Sequence, residues 1–223
     1  VLAGGVESMS NIEYYTIDMR WGARAGSVKL HDRLERGRER SQPAGRFGHM
    51  SGMIETAENL ARQHGISREA ADAWAVRSHQ RARDAWAAGR FDAEVVPVSV
   101  PQKKGAALVF ANDEGVRGDA SCEGLAALRP LMKDGTVTAG NSSQQNDAAA
   151  ACLVVAEEKL AELRLAPMGF LVDWAAAGCE PATMGYGPVP AVARIFRRTG
   201  LSFDQMDLVE VNEAFACQVL AVL

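Results

Sequence analysis

The chain has 223 residues, is 48% hydrophobic and 23% charged, and carries a net charge of −4. That balance is ordinary for a globular protein and allows one large domain or two small ones. It leaves no electrostatic footprint for a nucleic-acid partner, and no apolar run approaches the roughly 20 residues of a membrane-spanning helix.

Cys122, Cys152, Cys179 and Cys217 are widely spaced, and two of them fall in apolar runs. Such usage points to reduced, buried thiols and a cytoplasmic setting. His31, His49, His64 and His79 show no metal-ligand spacing, so no metal is expected.

Val1 to Val6 reads as the end of a buried strand, and Glu7 to Ser10 as a loop. From about Asn11 to Phe47 the pattern is broken and rich in charges of both signs. The segment is either a solvated surface or a place where one or two arginines meet a phosphate-bearing ligand. Met53 to His64 has helical spacing and stops at Gly65. Ser67 caps a second helix, whose alanines and tryptophans repeat at helical spacing as far as Gly89. The tryptophan stripe (Trp74, Trp86) is expected in the core.

Glu94 to Val100 and Ala107 to Phe110 read as two short strands, the first an edge because of Pro97. Glu123 to Leu128 is a helical turn stopped by Pro130. Gly140 to Asp147 is a loop of small and polar residues. Its backbone N–H groups and hydroxyls can hold an amide or phosphate ligand, or it is only a tight turn. From Ala148 the order is strand, helix, strand (Gly169 to Gly178), helix (Val189 to Arg198), strand (Leu208 to Val211), helix (Ala214 to Leu223). That alternation predicts an α/β fold with a largely parallel sheet, and residues 11 to about 135 read as an insertion in it. Ser202 and Gln205 have the spacing of a capping box.

The last helix is apolar on nearly every face and is expected to be buried. Asn212 stands at the junction of the last strand and this helix. It is either the helix N-cap or a site residue at the carboxyl end of a strand.

Six motifs stand in one order. They are Val1 to Ser10, Thr56-Ala57-Glu58-Asn59, Glu123 to Pro130, Thr138 to Asp147, Met184-Gly185-Tyr186-Gly187-Pro188 and Asn212-Glu213-Ala214-Phe215. Together they resemble the thiolase family, the acetyl-CoA acetyltransferases and 3-ketoacyl-CoA thiolases, over essentially the whole chain. The resemblance implies a layered αβαβα core, here incomplete, with an inserted α+β loop domain. Residues 1–10 and 137–165 would belong to the N-terminal half, 11–136 to the loop domain and 166–223 to the C-terminal half. The chain opens at Val1 inside an apolar run and stops at Leu223 inside a helix, so it is expected to be an internal piece of a longer protein.

Thiolases move an acyl group between acyl-CoA and CoA through an acyl-cysteine, so the implied partners are acyl-CoA and CoA. CoA is a substrate, and no further cofactor is implied. A homodimer or homotetramer is the family's usual assembly. The family's nucleophilic Cys-x-Ser-Gly segment, histidine base and second cysteine match nothing here, so they are expected outside this chain and the chain alone is expected to be inactive. By resemblance Asn212 orients the oxyanion-hole water, and Ser143 hydrogen-bonds the pantetheine arm. Met53, Met184 and Phe215 line the acyl-pantetheine pocket, Ala139 is a further substrate- or CoA-binding residue, and Arg117 lies near a basic position that meets CoA. Asn212 favours a thiolase over a ketoacyl synthase, which has a histidine there.

Three departures bear on the acyl chain. Gly52 stands where acetoacetyl-specific members often have a histidine, Gln144-Gln145 replaces a glycine-apolar pair, and Ala148 a glycine. They suggest a wider pocket. The alternative reading of the whole chain is a non-catalytic thiolase-like protein that binds acyl-CoA or lipid.

Overall fold

A computed structural model describes residues 1–49 and 52–223. In chain order its strands are β1 (Leu2–Glu7), β2 (Tyr14–Tyr15), β3 (His31–Asp32), β4 (Val98–Val100), β5 (Leu108–Phe110) and β6 (Ala148–Leu153). Its α-helices are α1 (Arg33–Glu39), α2 (Ala44–Phe47), α3 (Met53–His64), α4 (Arg68–Ala87), α5 (Cys122–Ala126), α6 (Leu160–Leu163), α7 (Pro188–Thr199) and α8 (Ala216–Val222). The residues form two compact units. One comprises Val1–Leu60, Gln145–Val211 and Val222; the other comprises Ala61–Gln144, Asn212–Ala221 and Leu223.

In the first unit β1 pairs with β6, from Leu2 opposite Leu153 to Glu7 opposite Ala148. Small residues dominate both strands because the backbones approach closely. A Cβ on Gly4 would stand 2.6 Å from the Ala150 carbonyl oxygen. Ser10 then ties the two motifs together, its N–H and hydroxyl donating to the two oxygens of Asp147 at 2.8 and 2.5 Å. These bonds hold the Asp147 carboxyl below the usual carboxylate range.

The pairing corrects the expected largely parallel sheet: every strand pair among the described residues is antiparallel. Alternation of elements after Ala148 could not reveal that the partner of β6 is β1, far back in the chain. Two expected strands are also absent among the described residues, Gly169 to Gly178 and Leu208 to Val211. Their residues are apolar, but a strand exists only where a neighbour accepts its N–H groups. The first of these segments is held instead by side chains of α7. Arg198 pairs with Asp173 and Arg194 donates to the Ala176 carbonyl. Its apolar residues Phe170, Leu171 and Trp174 stay exposed, and so do Val1, Leu2 and Val6 of the strand expected to be buried.

Helix α7 begins on Pro188, where a missing N–H costs nothing, and ends before Gly200 with Arg197 and Arg198 near its negative pole. The Ser202–Gln205 capping box is present.

The second unit is organised on α4. Ser67 caps it, accepting from the Ala70 N–H at 3.2 Å. Its buried stripe, Ala71, Ala75 and Val76, includes a pair that packs with Leu125 of α5. The tryptophans are only half-buried rather than core: Trp86 packs on Phe91, and Arg77 stacks on Trp74. The β4–β5 hairpin forms as the alternation predicts. Helix α8 buries Ala216, Cys217, Gln218, Val219 and Ala221, as its all-round apolar sequence requires. All four cysteines are free, but Cys152, expected to be buried, is exposed on β6. No helix of the described residues is long and apolar enough to cross a membrane.

Candidate functional site

Val137 and Thr138 are fully buried and lead into the loop at Gly140. A Cβ on Gly140 would come within 2.6 Å of Leu128 Cδ1 and 3.0 Å of Leu125 Cγ, so only glycine lets the loop pass over α5. Asn141 follows, 4% exposed. Its Oδ1 accepts from the Thr138 N–H at 2.8 Å. Its Nδ2 donates to Asp72 Oδ1 at 2.8 Å and to the Thr136 carbonyl at 3.0 Å.

Asp72, equally buried on α4, accepts through its other oxygen from Arg68 Nε at 2.7 Å. The Arg68 guanidinium also donates to the carbonyls of Leu125 and Leu128. Buried charges and amides are thus matched donor to acceptor, the condition under which burial does not cost several kcal/mol per group.

This network fixes the loop, and the loop fixes the segment that precedes α8. The Asn141 carbonyl accepts from the Ala216 N–H at 2.9 Å, and the Ser143 N–H donates to the Ala214 carbonyl at 2.9 Å. Ser142 and Phe215 thereby face each other in an antiparallel bridge. The N–H groups expected to be free for a ligand are therefore partly used within the protein. Gly140 N–H also donates to Thr138 Oγ1.

A second anchor holds the same segment. The Glu213 carboxylate accepts from Trp74 Nε1 at 2.9 Å and from the Ser78 hydroxyl at 2.5 Å. Asn212, next to it, is exposed, and its carboxamide has no hydrogen bond among the described residues. The structure removes the cap reading of Asn212: α8 starts at Ala216, its N-cap is Phe215, and no side chain caps it.

Ser143 and Ala139 are exposed on the loop and Phe215 is half-buried. Arg117 is exposed, and its N–H donates to His79 Nδ1 at 3.2 Å. Partial burial, helped by the Arg117 charge, pulls His79 below its ordinary pKa, against the opposing pull of Glu213 and Asp119. A neutral imidazole is what the bond requires, since a protonated one has no acceptor. Asn212, Ser143, Ala139, Phe215 and Arg117 are thus all in the second unit.

Met53 and Met184 belong to the first. They line a cavity of about 170 Å³ with Arg38, Ser41, Gln42, Gly52, Thr56 and Pro181. Asn59 of the Thr-Ala-Glu-Asn motif positions Met184, because its Nδ2 donates to the Ala182 carbonyl at 2.8 Å in the turn that carries the methionine. The Thr56 hydroxyl donates to the Met53 carbonyl at 2.7 Å.

Sequence reading missed Asp72, Arg68 and Gln42. Asp72 and Arg68 look like the mixed-sign surface of a helix. The only available signal was Asp72 falling one residue after Ala71 and three before Ala75, at the edge of the apolar stripe. Among the described residues there is no cluster of three or more groups that could hold a metal.

Two family models match the chain end to end. The thiolase N-terminal domain matches residues 1–158 and the thiolase C-terminal domain residues 165–223. An acetyl-CoA acetyltransferase of Chromobacterium violaceum is 46% identical over the whole chain, which covers 56% of that protein. The crystal structure of the Bacillus anthracis acetyl-CoA acetyltransferase superposes with a TM-score of 0.88 at 42% identity, over 100% of this chain and 55% of that one. The human mitochondrial 3-ketoacyl-CoA thiolase in complex with CoA superposes with a TM-score of 0.87 at 42% identity, over 100% of this chain and 54% of that one. The chain therefore spans a little over half the length of the relatives it matches.

Proposed function

Because the chain belongs to the thiolase family, we propose that the protein it represents is an acyltransferase that exchanges an acyl group between acyl-CoA and CoA. The observation that carries the reading is the ordered match of both thiolase domains along the chain. In the cleavage direction a 3-ketoacyl-CoA is split by CoA; in the reverse direction two acyl-CoA molecules condense. Both directions pass through an acyl-cysteine, and none of Cys122, Cys152, Cys179 and Cys217 is proposed as that cysteine. No metal or redox cofactor is needed, since CoA itself supplies the attacking thiol.

The roles proposed for this chain's residues come from the family resemblance, and the surroundings of Asn212 support its role. A thioester carbonyl gains negative charge when attacked, and donors held where that charge appears lower the barrier. An amide is suited to this because it donates without titrating. Asn212 offers an unoccupied carboxamide on a segment clamped by Glu213 and by the Asn141–Ala216 bond. We assign it to orient the oxyanion-hole water. Ser143, exposed on the loop braced by Asn141, is assigned to the pantetheine arm, its neighbour Ala139 to substrate or CoA, and Arg117 to CoA. Met53 and Met184 are assigned to the acyl-pantetheine pocket, where flexible thioethers adapt to different chains. Phe215, bridged to Ser142 on the braced loop, is assigned to substrate binding. A homodimer or homotetramer is the proposed assembly.

The test is thiolysis by the whole protein. It is mixed with CoA and a 3-ketoacyl-CoA, and products are followed by mass spectrometry. Formation of acetyl-CoA and the shortened acyl-CoA is expected. Binding of acyl-CoA with no turnover would replace the proposal with the non-catalytic reading.

A further inference from the structure

We propose that Gln144 is a positioning residue for CoA, its carboxamide fastening the turn that carries Arg117 to the loop that carries Ser143. This inference rests on the assignment of Ser143 and Arg117 to CoA binding above and deepens it.

The two segments are held very differently. The loop is fixed by the buried bonds of Asn141 and by the Ser143 N–H on the Ala214 carbonyl. The turn at residues 112–119 is held by α4 only in its second half. There the Arg117 N–H donates to His79 Nδ1 at 3.2 Å, and Arg83 Nη1 donates to the Gly118 carbonyl at 3.0 Å. Its first half is held by Gln144, whose Nε2 donates to the Gly115 carbonyl at 3.2 Å. Among the described residues no other hydrogen bond reaches residues 112–116.

The fit at Gly115 is steric as well as polar. A Cβ there would stand 2.7 Å from Gln144 Nε2 and 3.0 Å from its Cδ and Oε1. The carboxamide thus lies in the space that a side chain at 115 would take. Gly115 does not have a positive φ, so its backbone accepts alanine, and the added methyl group displaces only the amide.

A ligand that touches both segments binds best when they already stand at its own spacing, because ordering a loop on binding costs affinity. The Gln144–Gly115 bond joins these two segments directly, one residue from Ser143 and two from Arg117. Pantetheine and the rest of CoA are common to both substrates. The bond therefore acts on CoA and on acyl-CoA alike, and leaves the choice of acyl chain alone. Gln144 acts through the protein and is given no contact with either substrate.

The experiment uses the whole enzyme and removes the bond from each side. Gln144→Met keeps the length of the side chain and deletes the donor. Gly115→Ala keeps Gln144 and pushes its amide away. For both variants and the double variant, the Kd for CoA is read by titration calorimetry. It is set beside KM and kcat for a short and a long 3-ketoacyl-CoA and a thermal melt. Each single variant is expected to raise Kd and KM for CoA by about two- to tenfold, the scale of one neutral hydrogen bond. The kcat, the ranking of the acyl chains and the melting temperature are expected to stay at wild-type values. The double variant is expected to be no weaker than the weaker single, because both substitutions remove the same bond. An unchanged Kd in the single variants overturns the inference, and so do effects that multiply in the double variant. A changed ranking of acyl chains at constant Kd overturns it in favour of a contact with the acyl chain. Parallel losses of CoA affinity, kcat and melting temperature overturn it in favour of a general structural role. A wild-type enzyme that does not bind CoA removes the acyl-transfer reading and this one with it.

Discussion

The carboxamide of Asn141 donates to the carboxylate of Asp72 at 2.8 Å, across 69 residues of sequence, with both side chains almost fully buried. Through this bond helix α4 sets the position of the loop, and the loop's Asn141 carbonyl sets the start of α8. Residues assigned to substrate are thereby held by residues to which no substrate role is assigned.

Removing Asp72 is expected to be costly. Asp72→Ala leaves the Arg68 guanidinium and the Asn141 amide facing no carboxylate in a site where Asp72 is only 5% exposed. Breaking one side of a buried ion pair typically costs about 3–5 kcal/mol. Urea denaturation of the whole protein measures it. A loss under about 1 kcal/mol would show that solvent reaches the pair.

Asn212→Ala is expected to lower kcat by roughly 10²–10³-fold with little change in stability, the scale of one lost oxyanion-hole contribution. Steady-state kinetics beside a thermal melt separate the two effects. An unchanged rate would remove Asn212 from the chemistry.

Glu213→Gln weakens the clamp by replacing a carboxylate that accepts from both Trp74 and Ser78. The expected result is a change in Trp74 fluorescence together with a lower kcat, because Asn212 loses its fixed neighbour. A fluorescence change with full activity would mean that the loop bonds alone hold Asn212.

Gly140→Ala forces a methyl group against Leu125 and Leu128. Overpacking of this kind costs about 1–3 kcal/mol. The melting temperature is expected to fall, and a second substitution, Leu128→Ala, is expected to restore part of the loss by clearing the nearest atom.

His79 gives a pH dependence whose sign follows from its lowered pKa. As pH falls below the ordinary histidine value of about 6.5, the unfolded chain takes up the proton before the folded one does. Stability contributed by the neutral imidazole is thus complete above that pH and is lost as pH falls through the folded pKa. His79→Asn keeps an acceptor for the Arg117 N–H but does not titrate, so it is expected to flatten that part of the stability–pH curve. A curve of unchanged slope would assign the dependence to another group.

Much of the helical frame was legible from periodicity and caps. Helices α3, α4 and α7 fall where spacing, Ser67 and the terminal glycines place them, since those signals act within a few residues. The strands were less legible. Apolar content suggested strands at Gly169–Gly178 and Leu208–Val211, but ladder formation depends on a neighbour that local sequence does not name. The sequence left Asn212 as either a cap or a site residue, and the cap alternative fell because the Ser143 and Asn141 bonds keep residues 214 and 215 extended, so that α8 starts four residues beyond Asn212.

By itself the sequence determined the family, through six motifs in fixed order, and the residue types a thioester chemistry needs. Order along a chain survives without any knowledge of contacts. Only tertiary structure decided that Asp72 is interior and Asn141 its partner, that Asn212 has no hydrogen bond among the described residues, and that Gln42 is buried at the wall of a cavity. Each of these depends on which distant group arrives at a given point and whether it excludes water there. The free energy of a polar atom is set by that arrival, not by its neighbours in sequence.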